Sequence, residues 1–287
     1  MGQLPNNQIR GILTTAALCG ALCSTPGGAK TIFERGFNTG EWVEQFHAPE
    51  PPPKVVGKER GQIVNDEELA KTVLKVLYPA KKWSSENSGV QWKTRLKQNY
   101  ESLTVSYSIK FEEGFNFVKG GKLPGLIGGH QHGKPESTAT GGYRPDGTDG
   151  WSARMMWRRG GKLVQYLYHM HQKGKNGDDL PWMIDGQPVT INPGEWHRVK
   201  TEITMNDIGH RNGSIRSWFD DQLALEVHNV EFRTVPELAI DTLYFSTFFG
   251  GSGSNWAPKK NEYISYDDFV IETGSGKEVI DVDSVIE

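Results

Sequence analysis

The feature that most limits what this chain can fold into is the alternation that runs from Trp151 to Met170 on either side of Gly160-Gly161. Residues two apart in an extended chain share a face. Ser152, Arg154, Met156 and Arg158 therefore line one side of the first run, and Ala153, Met155 and Trp157 line the other. On the return run Tyr166 and Tyr168 share one face, while Leu163, Gln165 and Leu167 share the opposite one. The two polar faces coincide only if the loop is Arg159-Gly160-Gly161, which sets Arg158 against Lys162, Arg154 against Tyr166 and Ser152 against Tyr168. A two-residue Gly-Gly loop would pair Arg154 with Leu167 and mix the faces. The three-residue loop is the expectation. It collects Ala153, Met155, Trp157, Leu163 and Leu167 on a dry side, with Gln165 there and Met156 and Val164 on the wet side as unexplained exceptions.

Similar runs recur along the chain at Ser102 to Phe117, Trp196 to Met205, Ser214 to Phe219, Leu223 to Val227, Leu243 to Phe249 and Tyr263 to Ile271. Gly120-Gly121, Asn212-Gly213, Asp220-Asp221 and Gly250-Gly251 are the turn signals between them. Asp66 to Leu77 reads as one short amphipathic helix, and His47 to Arg60, with its four prolines, as an extended connector. The pattern predicts a single all-β domain, a jelly-roll sandwich of two antiparallel sheets, over residues 30–287 with its core at about 100–272.

The apolar run Gly11 to Cys23 is too short to span a bilayer. It follows Arg10 and precedes small residues, as in a secretory signal peptide cleaved near Ala29. Secretion is expected, and both cysteines, Cys19 and Cys23, would leave with residues 1–29. The net charge is −3, which disfavours general nucleic-acid binding, but it is unevenly spread. Between Lys119 and Lys175 stand ten Lys and Arg against three Asp and Glu, a balance of +7 that leaves −10 for the rest. Such an island, which also holds His130, His132, His169 and His171, suits a groove for a polyanion.

The segments Gly121-Lys122-Leu123-Pro124-Gly125-Leu126, Gly128-Gly129, Trp151 to Arg158 and Tyr166-Leu167-Tyr168 resemble polysaccharide lyase family 14. The run Phe245 to Gly251, followed by Trp256-Ala257-Pro258, is similar to that family's C-terminal pattern. The family comprises alginate and glucuronan lyases. The resemblance implies a β jelly roll with a concave substrate groove, no cofactor or metal, and Lys122, Ser152, Arg154, Tyr166 and Tyr168 as active-site residues. Ile127 in place of an aromatic, His130 and His132 after the double glycine, and the short hairpin loop depart from the pattern.

Cleavage of a 1,4-linked polyuronate by β-elimination needs three things: neutralisation of the C5 carboxylate, removal of the weakly acidic C5 proton, and protonation of the departing O4. Arg154 can clamp the carboxylate through two parallel N–H bonds, which Lys cannot copy, and Ser152 is a second candidate for holding it. The base is either Lys122, if its pKa falls from ~10.4, or one of the two tyrosines. His130, His132, Arg158, Lys162 and Trp151 are candidate substrate-binding residues. An anionic polysaccharide is the expected partner of a monomeric protein, with neither nucleic acid nor membrane. The alternative is a non-catalytic carbohydrate-binding sandwich that stacks sugars on Trp151, Trp157, Trp182, Trp196 and Trp256. A jelly-roll glycoside hydrolase would need two carboxylates flanking the scissile bond, and no Glu-x-Asp-x-x-Glu strand is present.

Overall fold

The computed structural model describes residues 29–38, 41–47, 53–129 and 139–274. In chain order the elements are β1 (Thr31–Arg35), α1 (Trp42–His47), β2 (Gly61–Asp66), β3 (Lys71–Tyr78), β4 (Val90–Tyr100) and β5 (Ser102–Phe111). There follow β6 (Gly120–Gly128), β7 (Trp151–Arg158), β8 (Leu163–Tyr168), β9 (Asp178–Pro181) and the two-residue strands β10 (Met183–Ile184) and β11 (Gln187–Pro188). Last come β12 (Trp196–Thr204), β13 (Gly213–Phe219), β14 (Gln222–Val230), β15 (Ile240–Phe249) and β16 (Glu262–Thr273). One sheet runs β14-β13-β12-β5-β16-β3-β2, with β1 also pairing β16; the other runs β4-β15-β6-β7-β8-β9. All pairings are antiparallel. The chain is the predicted all-β sandwich of two antiparallel sheets.

The inner faces meet over an aromatic core. Trp92 stacks on Phe245 at 3.8 Å between ring centroids, and Trp157 meets Tyr78, Phe111, Phe115 and Phe249 edge-on. Burial of such rings is the main favourable term in a fold whose described residues contain no cysteine. The core begins earlier than residue 100: Phe37, Trp42, Phe46, Leu74, Val76 and Tyr78 all belong to it.

Two local expectations are corrected, and a third falls partly outside the described residues. Residues 66–77 are not a helix but the turn and strand that join β2 to β3. Leu69 and Leu77 mimic helical spacing, yet Leu74, Val76 and Tyr78 alternate into the core and β3 pairs with strands on both sides. Pairing and burial override the local pattern here. Gly120-Gly121 opens β6 instead of forming a turn. The stretch from His47 to Arg60 starts as the last residue of α1, pairs Val56 with Gln91 and ends in a 3-10 turn at Lys58–Arg60. Residues 1–28, with Cys19, Cys23 and nearly all of the expected signal peptide, lie outside the described residues, as do His130 and His132.

Candidate active site

The β7–β8 hairpin has the expected register: Ser152 pairs with Tyr168, Arg154 with Tyr166 and Met156 with Val164. Its three-residue loop is a 3-10 turn, Arg159–Gly161, closed by the Arg158 amide donating to the Lys162 carbonyl at 2.7 Å. Gly160 takes φ 72° there, a left-handed conformation that glycine adopts without strain.

Lys122 reaches this face through an irregularity in β6. Leu123 pairs with Met155 and Gly125 with Arg154, so Pro124 is an extra residue, a β-bulge. Proline has no N–H to lose from the ladder at that point. Tyr107 of the facing sheet fixes the bulge by donating its hydroxyl to the Pro124 carbonyl at 3.2 Å. The insertion sets the parity. Lys122 lies opposite Met156 and shares a face with Arg154, although Lys122 and Gly125 are three residues apart. Gly125 is required by close approach, since a Cβ there would stand 2.4 Å from the Ala153 carbonyl oxygen and 2.6 Å from Arg154 Cα.

The result is a compact cationic centre. Arg154 is 2 % exposed and donates from Nη1 to Ser246 Oγ at 3.0 Å; its guanidinium lies 5.0 Å from the Tyr244 ring centroid. Its Nε–H is buried without a partner. Lys122 is 8 % exposed, with Nζ 3.2 Å from the Tyr166 ring centroid and 2.7 Å from Met156 Sδ. Among the described residues no carboxylate pairs with either cation. Burial, then the charges of Arg154 and Arg158, hold the Lys122 ammonium well below the usual lysine range, and Asp179 opposes this. Burial pushes the Tyr166 phenol well up, so it stays protonated. The Tyr166 and Tyr168 hydroxyls are 3.4 Å apart. Tyr168 accepts from the Gly142 amide at 3.2 Å, and Ser152 donates to the Ala139 carbonyl at 2.6 Å.

These last two bonds draw residues 139–142 over the sheet. The face expected to be wet is thereby largely enclosed, with Ala139, Met156, Val164, Tyr166 and Tyr168 forming a second apolar cluster. Met156 and Val164 thus supply the low-polarity surroundings that favour a neutral Lys122. Gln165, on the core side, donates to the Ala153 and Arg154 carbonyls at 2.8 and 3.1 Å and accepts from Thr201 and Ser217, both at 3.3 Å. It is a buried amide with its hydrogen bonds satisfied.

All five expected active-site residues come together; of the binding candidates, His130 and His132 lie outside the described residues, and Arg158 borders the centre with its guanidinium 5.4 Å from the Tyr166 ring centroid. Trp151 is fully buried against Phe232 on the core face, so it offers no stacking surface. Arg158 is not a free cation: Asp179 takes both Nε and Nη2, at 2.8 and 2.5 Å. Lys162 is exposed. Ser246, Tyr244 and Asp179 were missed. Strand parity puts Tyr244 and Ser246 on the face opposite Phe245, but nothing in the sequence places β15 beside β6.

Fold and site together define a β-sandwich enzyme of the polysaccharide lyase class. The model of the family described as Polysaccharide lyase 14 matches residues 66–269, and the chain belongs to that family. Exolysin of Paramecium bursaria Chlorella virus 1 is 26% identical over 192 residues, covering 58% of this chain but only 28% of that protein. The crystal structure of the marine PL-14 alginate lyase from Aplysia kurodai matches with a TM-score of 0.73 at 22% identity, over 86% of this chain and 100% of that one. The endo-beta-1,4-glucuronan lyase from the fungus Trichoderma reesei matches with 0.54 at 15% identity, over 85% and 96%. At these identities the two structural likenesses are likenesses of fold.

Proposed function

We propose that this lyase cleaves a 1,4-linked polyuronate, of the alginate or glucuronan kind, by β-elimination that leaves unsaturated uronate ends. The observation that carries the reading is the buried Arg154 cation, which no carboxylate of the described residues neutralises, beside a Lys122 whose charged form burial disfavours. Leaving charge buried and unpaired is costly, and the C5 carboxylate of a bound uronate would offset that cost. Arg154, oriented by Ser246 and with its Nε–H unpartnered, is the clamp that withdraws charge from the carboxylate. Lys122, as the neutral amine, takes the C5 proton. Tyr166, as the neutral phenol, protonates O4. Ser152 and Tyr168 hold residues 139–142 in place over the centre. The names of the alginate and glucuronan lyases that share the fold support the choice of substrate class. Export through the N-terminal apolar segment belongs to the same reading; N-terminal sequencing of exported protein would reveal cleavage near Ala29.

The test is ultraviolet absorbance of products from a panel of uronate polymers. Wild type should release unsaturated ends, and Arg154→Lys, which keeps the charge but loses the fork, should lose at least ~100-fold in kcat/KM. Near-wild-type turnover by Arg154→Lys would remove the clamp. Saturated products would make the protein a hydrolase, and binding without products would make it the non-catalytic module.

A further inference from the structure

One end of the catalytic face carries groups that this reaction does not use. Phe248 is the cross-strand partner of Lys122. Its neighbours Thr247 and Phe249 turn inward, to the Tyr266 hydroxyl and to Trp157. The half-buried Phe248 ring therefore lies on the side of β15 that faces the site. That ring covers Gly250, where a Cβ would stand 2.2 Å from its Cε2. The half-buried indole of Trp256, at the end of the 3-10 turn Ser254–Trp256, covers Gly251 in the same way, 2.2 Å from Cε2. The Gly250 amide donates to the Gly120 carbonyl at 3.3 Å. This fastens the loop to the start of β6, beside Lys119, whose Nζ lies 5.8 Å from the Trp256 ring centroid. Lys119 makes no ion pair among the described residues.

Two aromatic rings and a free ammonium, bordering a centre that takes an anionic sugar, match the chemistry of one more such sugar. The rings offer flat apolar surfaces to the C–H face of a pyranose, and the ammonium offers a partner to its carboxylate. Lys119 lies in the turn just ahead of β6, three residues before Lys122, at the end of the face and outside the reacting centre. We propose that Lys119, Phe248 and Trp256 form a subsite that binds a uronate beyond the two joined by the cleaved bond and makes the enzyme prefer longer chains. The inference rests on the polyuronate reading of the active site.

The experiment compares wild type, Lys119→Glu and Trp256→Ala on a uronate polymer and on size-defined oligosaccharides, with melting curves as a control for folding. Each variant should raise KM for the polymer about ten-fold, or ~1.4 kcal/mol, with kcat changed less than about two-fold. KM for the shortest cleavable oligosaccharide should stay the same, so the advantage of long chains shrinks. Lys119→Glu leaves the Trp256 turn intact and decides the matter should Trp256→Ala melt early. If wild type cleaves the polymer and Lys119→Glu matches it at every chain length, the subsite is overturned. If wild type yields no unsaturated product from any uronate polymer, the polyuronate reading falls and the subsite with it.

Discussion

Lys122 and Arg154 make the centre expensive to fold and useful once folded. Desolvation disfavours both charges, and the cation–π contact with Tyr166 and the Ser246 hydrogen bond offset only part of that cost. Lys122→Met fills similar volume without charge. It should stabilise the protein by about 1 to 4 kcal/mol while abolishing elimination, both readable from a melting curve and an absorbance assay; a lower Tm would show that the ammonium is better solvated than its burial indicates. The same lysine sets a pH dependence. Its folded pKa lies below the unfolded ~10.4, so the neutral amine persists to lower pH than a free lysine allows, and folding stability should rise with pH through that window. Asp179 works against the depression and holds Arg158. Asp179→Asn should therefore move the rising limb of the kcat/KM profile to lower pH. A limb that stays put, or moves up, would take Lys122 out of the role of base.

At the level of strands, the bulge in β6 brings Lys122, from a loop-like sequence, onto the face of Arg154. Gly125→Ala places a methyl group against the Ala153 carbonyl and the Arg154 backbone, and backbone cannot step aside cheaply. The strand should lose at least ~2 kcal/mol, and kcat should fall further than stability explains because Arg154 is displaced. Normal Tm and turnover would mean that β6 and β7 are less closely apposed. This strand also marks the limit of what could be read in advance. The β7–β8 hairpin was legible because alternation, loop length and a consistent dry face all point to one register. β6 was not, since four glycines and a proline spell a turn, and only the close passage of β7 makes Gly125 necessary. β3 was misread because local spacing cannot see the partners on its two edges. Trp151 and Arg158 were assigned to binding by residue type, yet one faces the core by parity and the other is claimed by Asp179, an acid from a strand too short to stand out.

For the whole molecule, the basic island is the part of the charge distribution a polymer meets first. With Arg158 neutralised by Asp179, the attraction comes from groups such as the half-buried Lys119 and the exposed Lys162. Salt screens exposed charges over ~10 Å at 0.1 M, while the enclosed Lys122 and Arg154 feel it little. KM should climb with ionic strength and kcat stay nearly flat; a salt-insensitive KM would reduce the island to a solvated surface. The order of the strands has one more consequence. Arg154 is oriented by Ser246, and β15 lies between β4 and β6, so the centre is built from segments made far apart in time as the chain is synthesised. A nascent chain that has not yet produced residues 240–249 lacks both the strand that pairs with β6 and the Ser246 hydroxyl that accepts from Arg154. Arg154 therefore reaches its final surroundings only once the last strand of its sheet is made.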